Sequence, residues 1–184
     1  MKRLPLALAA LFLVTACSAT TTHAIAEPVR TASSVGFYPS PQMHKKALAA
    51  QQVQLKLTRT IAKLKSRIGK TWYVFSGDTP SGWDCSGLTR WTYAQLGYEL
   101  PHSANKQAHL GTITRTPQPG DLVLFSYGGR WFIHAAIYLG NGRVIHAGFG
   151  PGQSTAIIKL SSRAFQGMTI RYVAVLPRPK NSLL

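Results

Sequence analysis

The stretch "SGWDCSGLTRWTY", Ser81 to Tyr93, places a cysteine between an aspartate and a serine, at the predicted start of a helix. Asp84 is of a type that caps helix N-termini, and Gly97 is a typical stop, so we predict a helix from about Cys85 to Leu96. The first turn of a helix exposes backbone N–H groups and the positive end of the dipole. These lower the pKa of a thiol and stabilise an oxyanion, which makes Cys85 a candidate nucleophile.

The other cysteine, Cys17, ends an N-terminal segment with the features of a secretory signal, predicted over residues 1–16. "MKRLPLALAALFLVTACS" has a basic start and an apolar run shorter than the ~20 residues of a membrane span. Two cleavage sites remain open: "LVTAC" resembles a bacterial lipobox, which would lipidate Cys17, and "AIA" permits cleavage after Ala26. Either route removes Cys17 from disulfide chemistry. A cysteine left unpaired in an oxidising compartment indicates a functional thiol at Cys85.

The rest of the chain divides into a tether, one domain and a tail. Residues 17–42 are rich in Ser, Thr, Ala and Pro, which predicts a flexible tether. Residues 43–176 are predicted to form a single domain, because about 160 residues after the signal are enough for one core. Residues 177–184 are predicted to be a loose tail.

The apolar pattern predicts helices first and strands afterwards. Apolar residues at helical spacing run from near Met43 to a stop at Gly69, as one helix or two, and a short helix is expected over about Ser103 to Leu110. After "TPQPGD", β-branched and aromatic segments predict strands at "LVLFSY", "WFIHAAIYL", "RVIHA", "TAIIKL" and "TIRYVAVL", with a helical turn at "SSRAFQG". The expected fold class is α+β, with N-terminal helices packed on an antiparallel β-sheet.

The chain is strongly basic, with a formal net charge of +16 that falls to +14 once Lys2 and Arg3 leave with the signal. Such a field favours an anionic partner. Export and the lack of a nucleic-acid motif argue against nucleic acid, so a bacterial wall or an anionic membrane surface fits better. A solvated basic surface without a single partner remains open.

Two histidines lie inside strong strand patterns, His134 in "WFIHAAIYL" and His146 in "RVIHA". A cysteine nucleophile needs a base within hydrogen-bond reach, and a histidine on a strand is held rigidly enough to serve. The geometry of the hairpin between them is decisive, because an unmodified two-residue turn would place them on opposite faces. We therefore predict a three-residue loop, 140–142, with Leu139 opposite Arg143, Ala136 opposite His146 and a positive φ at Gly142.

Together these residues resemble the NlpC-type cell-wall cysteine endopeptidases, over about residues 56–176. The resemblance is carried by "YVFSGDTPSGWDCSGLTRWTYAQLGYELPHSANKQ", "PGDLVLF" and "HAAIYLGNGRVIHA" with the spacing between them. It implies a papain-like fold whose nucleophile lies at a helix N-terminus. It also implies hydrolysis of peptidoglycan stem peptides, commonly between D-glutamate and the following diamino acid, without a metal or cofactor.

The resemblance also implies a role for each site residue. Cys85 becomes the nucleophile, His134 the general base and His146 the residue that orients it, while Tyr73 supports the active site near the nucleophile. Asp84 and Ser86 are candidate contacts to the stem peptide, although capping is the expected main role of Asp84. We expect the basic surface to hold the enzyme near anionic wall polymers, and a lipid on Cys17 to hold it at a membrane of the cell envelope; a secreted soluble form is the alternative.

Three departures from the family pattern affect the cleft wall. The usual aromatic-Gly-Gly appears as Phe75-Ser76-Gly77, "HVGIY" appears as "HAAIY", and His102 stands where an arginine is common after Leu-Pro. They concern substrate preference rather than the reaction. Two other functions remain open at this point: an amidase or acyltransferase of the same superfamily, and a catalytically silent wall-binding lipoprotein.

Overall fold

The computed structural model describes residues 40–148 and 152–178 of the chain. The predicted signal peptide, Cys17 and nearly all of the predicted tether lie outside the described residues. Within the described part, no helix is long and apolar enough to cross a membrane.

The first helix, α1 (Pro41–Lys65), is continuous, so the basic early segment extends the apolar one. Ser40 caps it by accepting a hydrogen bond from the N–H of Met43, and Pro41 occupies the first turn, where its missing N–H costs nothing. The helix ends four residues before the predicted stop at Gly69. Gly69 has a φ of +69°, and its N–H donates to the carbonyl of Thr155 at 3.0 Å. This tertiary contact turns the chain out of the helix early.

Two shorter helices follow. Asp84 caps α2 (Cys85–Ala94) and Ser103 caps α3 (Ala104–Gln107). The predicted stop at Gly97 is confirmed: its φ is +89°, and it lies in a closing turn where Tyr98 N–H donates to the carbonyl of Tyr93 at 3.0 Å.

The strands form two antiparallel sheets. Their bounds are β1 (Asp78–Thr79), β2 (Gly82–Trp83), β3 (Thr112–Thr114), β4 (Leu122–Tyr127), β5 (Trp131–Gly140), β6 (Arg143–His146), β7 (Ala156–Lys159) and β8 (Thr169–Ala174). The strands β1 and β2 form a small hairpin, and the others form one sheet in the order β3-β8-β4-β5-β6-β7. The predicted strands are all present, and β1, β2 and β3 are additional strands that the sequence patterns did not predict. The α+β class is confirmed.

The large sheet is covered on both faces, which explains why β4 is an apolar run without alternation. Leu122 and Leu124 pack with the helices in one buried cluster, whereas Val123 and Phe125 belong to a second cluster on the opposite face. The second cluster includes Phe165 of a short 3₁₀ helix (Arg163–Phe165). A strand buried on both sides needs apolar residues at every position.

Arg178, inside the segment predicted to be a loose tail, packs against the domain. Its guanidinium donates to Asp121 Oδ2 at 2.6 Å and to the carbonyl of Thr116 at 3.1 Å. Asp121 is buried, and burial raises the pKa of its carboxyl group, against the lowering effect of the hydrogen bond from Gln118 N–H and of the Arg178 charge. The ion pair therefore compensates a carboxylate that would be costly to bury alone.

Candidate active site

The start of α2 is organised by the Asp84 carboxylate. Its Oδ1 accepts hydrogen bonds from the N–H of Gly87 at 2.7 Å and from the Ser86 hydroxyl at 2.9 Å. The predicted capping role of Asp84 is therefore confirmed. Asp84 and Ser86 are 8 % and 6 % exposed, so both are engaged within the protein, and their contact with a stem peptide stays a prediction.

Two loops are tied to the same carboxylate. The N–H of Ser76 donates to Asp84 Oδ2 at 3.1 Å, and His102 Nε2 lies 3.0 Å from Asp84 Oδ1. Ser76 has a φ of +57°, which is unusual for a residue other than glycine. Two of the departures from the family pattern thus meet at Asp84, a contact that sequence reasoning missed.

Glycines allow the loop before α2 to approach the helix. A Cβ at Gly87 would lie only 1.9 Å from the carbonyl oxygen of Gly77, which is closer than any real contact. A Cβ at Gly77 would lie 2.5 Å from the carbonyl oxygen of Gly82. Side chains at these positions would push the loop away from Cys85.

The thiol of Cys85 faces the backbone of β5. Its Sγ lies 4.0 Å from the carbonyl oxygen of Ile133, and the N–H of Ala135 also hydrogen-bonds to it. The ladder between β5 and β6 begins only at Ile137, opposite Ile145. On this side of β5, Ile133–Ala135 therefore contacts Cys85 and does not pair with β6.

A β-bulge shapes this edge. In the β4–β5 ladder Phe125 pairs with His134 and Ser126 pairs with Phe132, so Ile133 is the extra residue. Bulges bend a strand and redirect its side chains, and they are frequent beside active sites. Here the bulged residue, Ile133, carries the carbonyl that contacts Cys85, and His134 is the next residue along the strand.

The two histidines are in contact, as predicted. His134 Nε2 lies 3.1 Å from His146 Nδ1, with ring centroids 5.2 Å apart. Both side chains are buried at 3 % exposure, and Phe165 packs near both rings. One ring donates this hydrogen bond to the other, which fixes the orientation of His134.

The predicted loop between the histidines is wrong in length. Gly140 pairs with Arg143, so the turn has two residues, Asn141 and Gly142, with φ of +51° and +64°. Positive φ at both positions is typical of a type I′ turn, which Asn-Gly favours. The positive φ predicted at Gly142 is confirmed.

A second bulge restores the predicted face. Tyr138 pairs with Val144 and Gly140 pairs with Arg143, which leaves Leu139 as an extra residue. The ladder ends with Ile137 opposite Ile145, which is the register that the predicted pair of Ala136 and His146 requires, although that pair itself lies beyond the ladder. The bulge shifts the register by the one residue that a longer loop would have supplied.

Burial keeps the reactive groups neutral. It raises the pKa of Cys85 to about 11; the N–H groups of Ala135, Ser86 and Cys85 itself act against this rise, and the Asp84 charge adds to it. Burial lowers the pKa of His134 to about 3, with a further lowering by His146, and lowers that of His146 to about 4. The expectation that the helix start lowers the pKa of the thiol is therefore wrong in its net direction, because desolvation is larger than the dipole effect.

Tyr73 is electrostatically coupled to this cluster. Burial raises its pKa, and the charges of Cys85 and Asp84 raise it further. Its N–H donates to the carbonyl of Gln153 at 2.7 Å, and it forms a parallel bridge with Trp83, the residue before Asp84. The bridge with Trp83 places the backbone of Tyr73 next to the start of α2.

A buried glutamine supports the first turn of α2 from behind. Gln107 Nε2 donates to the carbonyls of Ser86 at 3.0 Å and Pro101 at 2.8 Å, while Thr89 Oγ1 donates to its Oε1 at 2.7 Å. Sequence reasoning did not single out Gln107, although its place on the short helix after a Ser N-cap was the available signal. Among residues 40–148 and 152–178, no group of three His, Cys, Asp or Glu side chains is arranged to hold a metal ion.

Comparison with known proteins identifies the family of this site. The family model of the NlpC/P60 family matches residues 69–174, more than half of the chain. The chain belongs to the NlpC/P60 family. The predicted family and papain-like fold are thereby confirmed.

Curated relatives and solved structures agree with this assignment. The chain is 40 % identical over 89 residues to a probable endopeptidase p60 of Listeria seeligeri, covering 47 % of this chain and 17 % of that protein. A probable endopeptidase of Corynebacterium glutamicum is 40 % identical over 85 residues, 45 % of this chain and 39 % of that protein. The chain thus spans well under half the length of these relatives.

Two crystal structures have the same fold. An NlpC/P60 family protein from Bacillus cereus superposes with a TM-score of 0.60 at 28 % identity, covering 66 % of this chain and 40 % of that one. The NlpC/p60 domain of the peptidoglycan hydrolase SagA superposes with a TM-score of 0.54 at 31 % identity, covering 64 % of this chain and 98 % of that domain.

Proposed function

We propose that this protein hydrolyses peptidoglycan stem peptides, with Cys85 as the nucleophile, His134 as the general base and His146 as its orienting residue. The observation that carries the proposal is the convergence of the Cys85 thiol on β5 at Ile133–Ala135, next to the hydrogen-bonded His134–His146 pair. A thiol, a base and an orienting group in this order are the parts that acyl transfer requires.

In the first step Sγ attacks the carbonyl carbon of the scissile amide while its proton passes to His134. Because the resting thiol and imidazole are both neutral, the charges form only as the new bond forms. His146 holds Nε2 of His134, so the nitrogen that accepts the proton is Nδ1. The backbone N–H groups at the start of α2, supported by Tyr73, stabilise the oxyanion.

In the second step the proton on His134 passes to the leaving amine, which departs and leaves a thioester on Cys85. His134 then removes a proton from water as the water attacks the thioester, and the product leaves as a carboxylic acid that loses its proton to the solvent. The thiol is regenerated when His134 returns that proton to sulfur. No electron transfer takes place.

The family and the named relatives support the proposed substrate. Two curated relatives are named probable endopeptidases, and one structural neighbour is the domain of a peptidoglycan hydrolase. We infer cleavage between D-glutamate and the following diamino acid as the specific reaction.

Mass spectrometry of muropeptides tests this proposal. Wild-type protein should shorten purified stem peptides at that bond, and Cys85→Ala should lower the rate at least a thousandfold, since the nucleophile is lost. Circular dichroism checks that the variant is folded. Undiminished cleavage by Cys85→Ala, or products of a different bond, would overturn the reaction as stated.

We further propose that the protein acts in the cell envelope, with a lipid on Cys17 and the basic surface in contact with anionic wall polymers. The lipobox-like "LVTAC" supports the anchor, and the charge of +14 that remains after Lys2 and Arg3 leave with the signal supports the polymer contact. In the host, labelled fatty acid should enter the wild type and be absent from Cys17→Ala. A soluble mature form that begins after Ala26 would contradict the anchor.

A further inference from the structure

Two large aromatic side chains are exposed side by side at the tip of the β4–β5 hairpin. Tyr127 and Trp131 are 64 % and 67 % exposed, and they are direct partners in the ladder. Side chains of such a pair stand on the same face of the sheet, about 5 Å apart. We call this surface the Tyr127–Trp131 platform.

The platform is held firmly. The Ser126 hydroxyl donates to the carbonyl of Trp131 at 2.6 Å, and the N–H of Phe132 donates to Asn105 Oδ1 at 3.1 Å. Phe132 itself is buried at 2 % exposure. The aromatic rings are therefore presented on a fixed backbone, which lowers the entropy lost on binding.

The platform lies close to the candidate active site along β5. Trp131 lies two residues from Ile133, whose carbonyl contacts the Cys85 thiol. Two residues of a strand span about 7 Å. The side chain of Ile133 is also exposed, at 47 %, so a third exposed apolar residue lies between the platform and the thiol along the sequence of β5.

We propose that the Tyr127–Trp131 platform binds the amino-sugar strand that carries the stem peptide. This inference rests on the proposed function, because the sugar strand is covalently joined to the peptide that is cut. The flat faces of Trp and Tyr cover the C–H face of a pyranose ring, while the Tyr hydroxyl, the Trp N–H and Arg130 hydrogen-bond to its N-acetyl and hydroxyl groups. A large exposed aromatic patch is typical of a binding surface.

The test measures binding of a hexamer of β-1,4-linked N-acetylglucosamine by calorimetry with the full chain. We expect Trp131→Ala to weaken the affinity at least tenfold, and Trp131→Phe, which keeps an aromatic face, to stay within threefold of wild type. Leu55→Ala, which removes a similarly exposed apolar side chain from α1, is the matched control and should bind like wild type.

Several results would contradict sugar binding by the platform. These are no binding of the hexamer by wild type, equal affinity in a folded Trp131→Ala, and Trp131-dependent binding to phosphatidylglycerol vesicles in place of the hexamer. Loss of a wild-type dimer in Trp131→Ala would assign the face to a second copy. Because the hexamer carries no stem peptide, its binding is independent of hydrolysis, so this inference and the proposed function fail by different measurements.

Discussion

At the scale of single residues, Asp84 has two opposing effects on Cys85. Its carboxylate orders the start of α2 and two loops through four hydrogen bonds and contacts. Its negative charge also helps to raise the pKa of the thiol. A cation beside Asp84 would leave the ordering of α2 and the loops intact and would reduce the rise in the thiol pKa. His102 lies at the position that such a cation would take.

We therefore expect His102→Arg to make the thiol more reactive. The guanidinium adds a permanent positive charge near Asp84 and can form a bidentate pair with the carboxylate, which offsets part of the field at Sγ. The rate of Cys85 alkylation by iodoacetamide at pH 8 should rise about threefold, since half a pKa unit changes the thiolate fraction by that factor.

A histidine-to-arginine change far from the site provides the control. His44→Arg adds the same charge to the exposed start of α1 and should leave the alkylation rate unchanged. An equal rise in both variants would attribute the effect to net charge, and no rise in His102→Arg would show that the Asp84 charge does not reach the thiol.

At the scale of elements, composition predicted the strands well and the connections poorly. The segment "LVLFSY" was predicted residue for residue as β4, because β-branched and aromatic residues between turn signals have few other options. The sequence favoured a three-residue loop over the two-residue turn at Asn141-Gly142, because strand alternation does not predict the compensating bulge at Leu139. The bulge at Ile133 was not predicted for the same reason. Bulges follow from tertiary packing, which a period of two does not encode.

The helix α1 has an exposed basic face that can be tested separately from catalysis. Lys56, Arg59 and Lys63 recur at intervals of three and four residues, are all exposed, and belong to a helix without acidic residues. Replacing the three with Gln should weaken retention on isolated bacterial wall about tenfold at low salt and reduce its dependence on salt, because fewer counterions are released. Retention is measured by sedimentation with the wall.

The control for α1 keeps the charge and changes the residue type. Lys56→Arg with Lys63→Arg should be retained like wild type, and both sets should keep the helix content of the parent. Equal retention of the Gln variant would show that the basic face of α1 does not hold the protein on the wall.

At the scale of the whole molecule, the environment of the site comes from elements distant in sequence. The local argument at α2 predicted the helix start at Cys85 and its Asp84 cap correctly, since both depend on neighbouring residues. The pKa of the thiol was wrong in direction because its burial depends on β5, which lies far along the chain. The same burial applies to His134 and His146, where Phe125 and Phe165 pack near the rings.

The buried histidine pair should make the whole domain sensitive to acid. The folded pKa values of about 3 for His134 and about 4 for His146 lie below the 6.5 of an unfolded chain. Below pH 6.5 the unfolded state therefore binds more protons, and the free energy of unfolding falls as the pH falls toward 4. Between pH 7 and pH 5, each ring lowers the free energy of unfolding by about 2 kcal/mol. Urea unfolding at pH 7 and pH 5 measures this loss. The double variant His134→Gln with His146→Gln should lose most of the difference, whereas the exposed pair His44→Gln with His109→Gln should retain it. An unchanged difference in the His134 and His146 variant would place the acid sensitivity elsewhere in the domain.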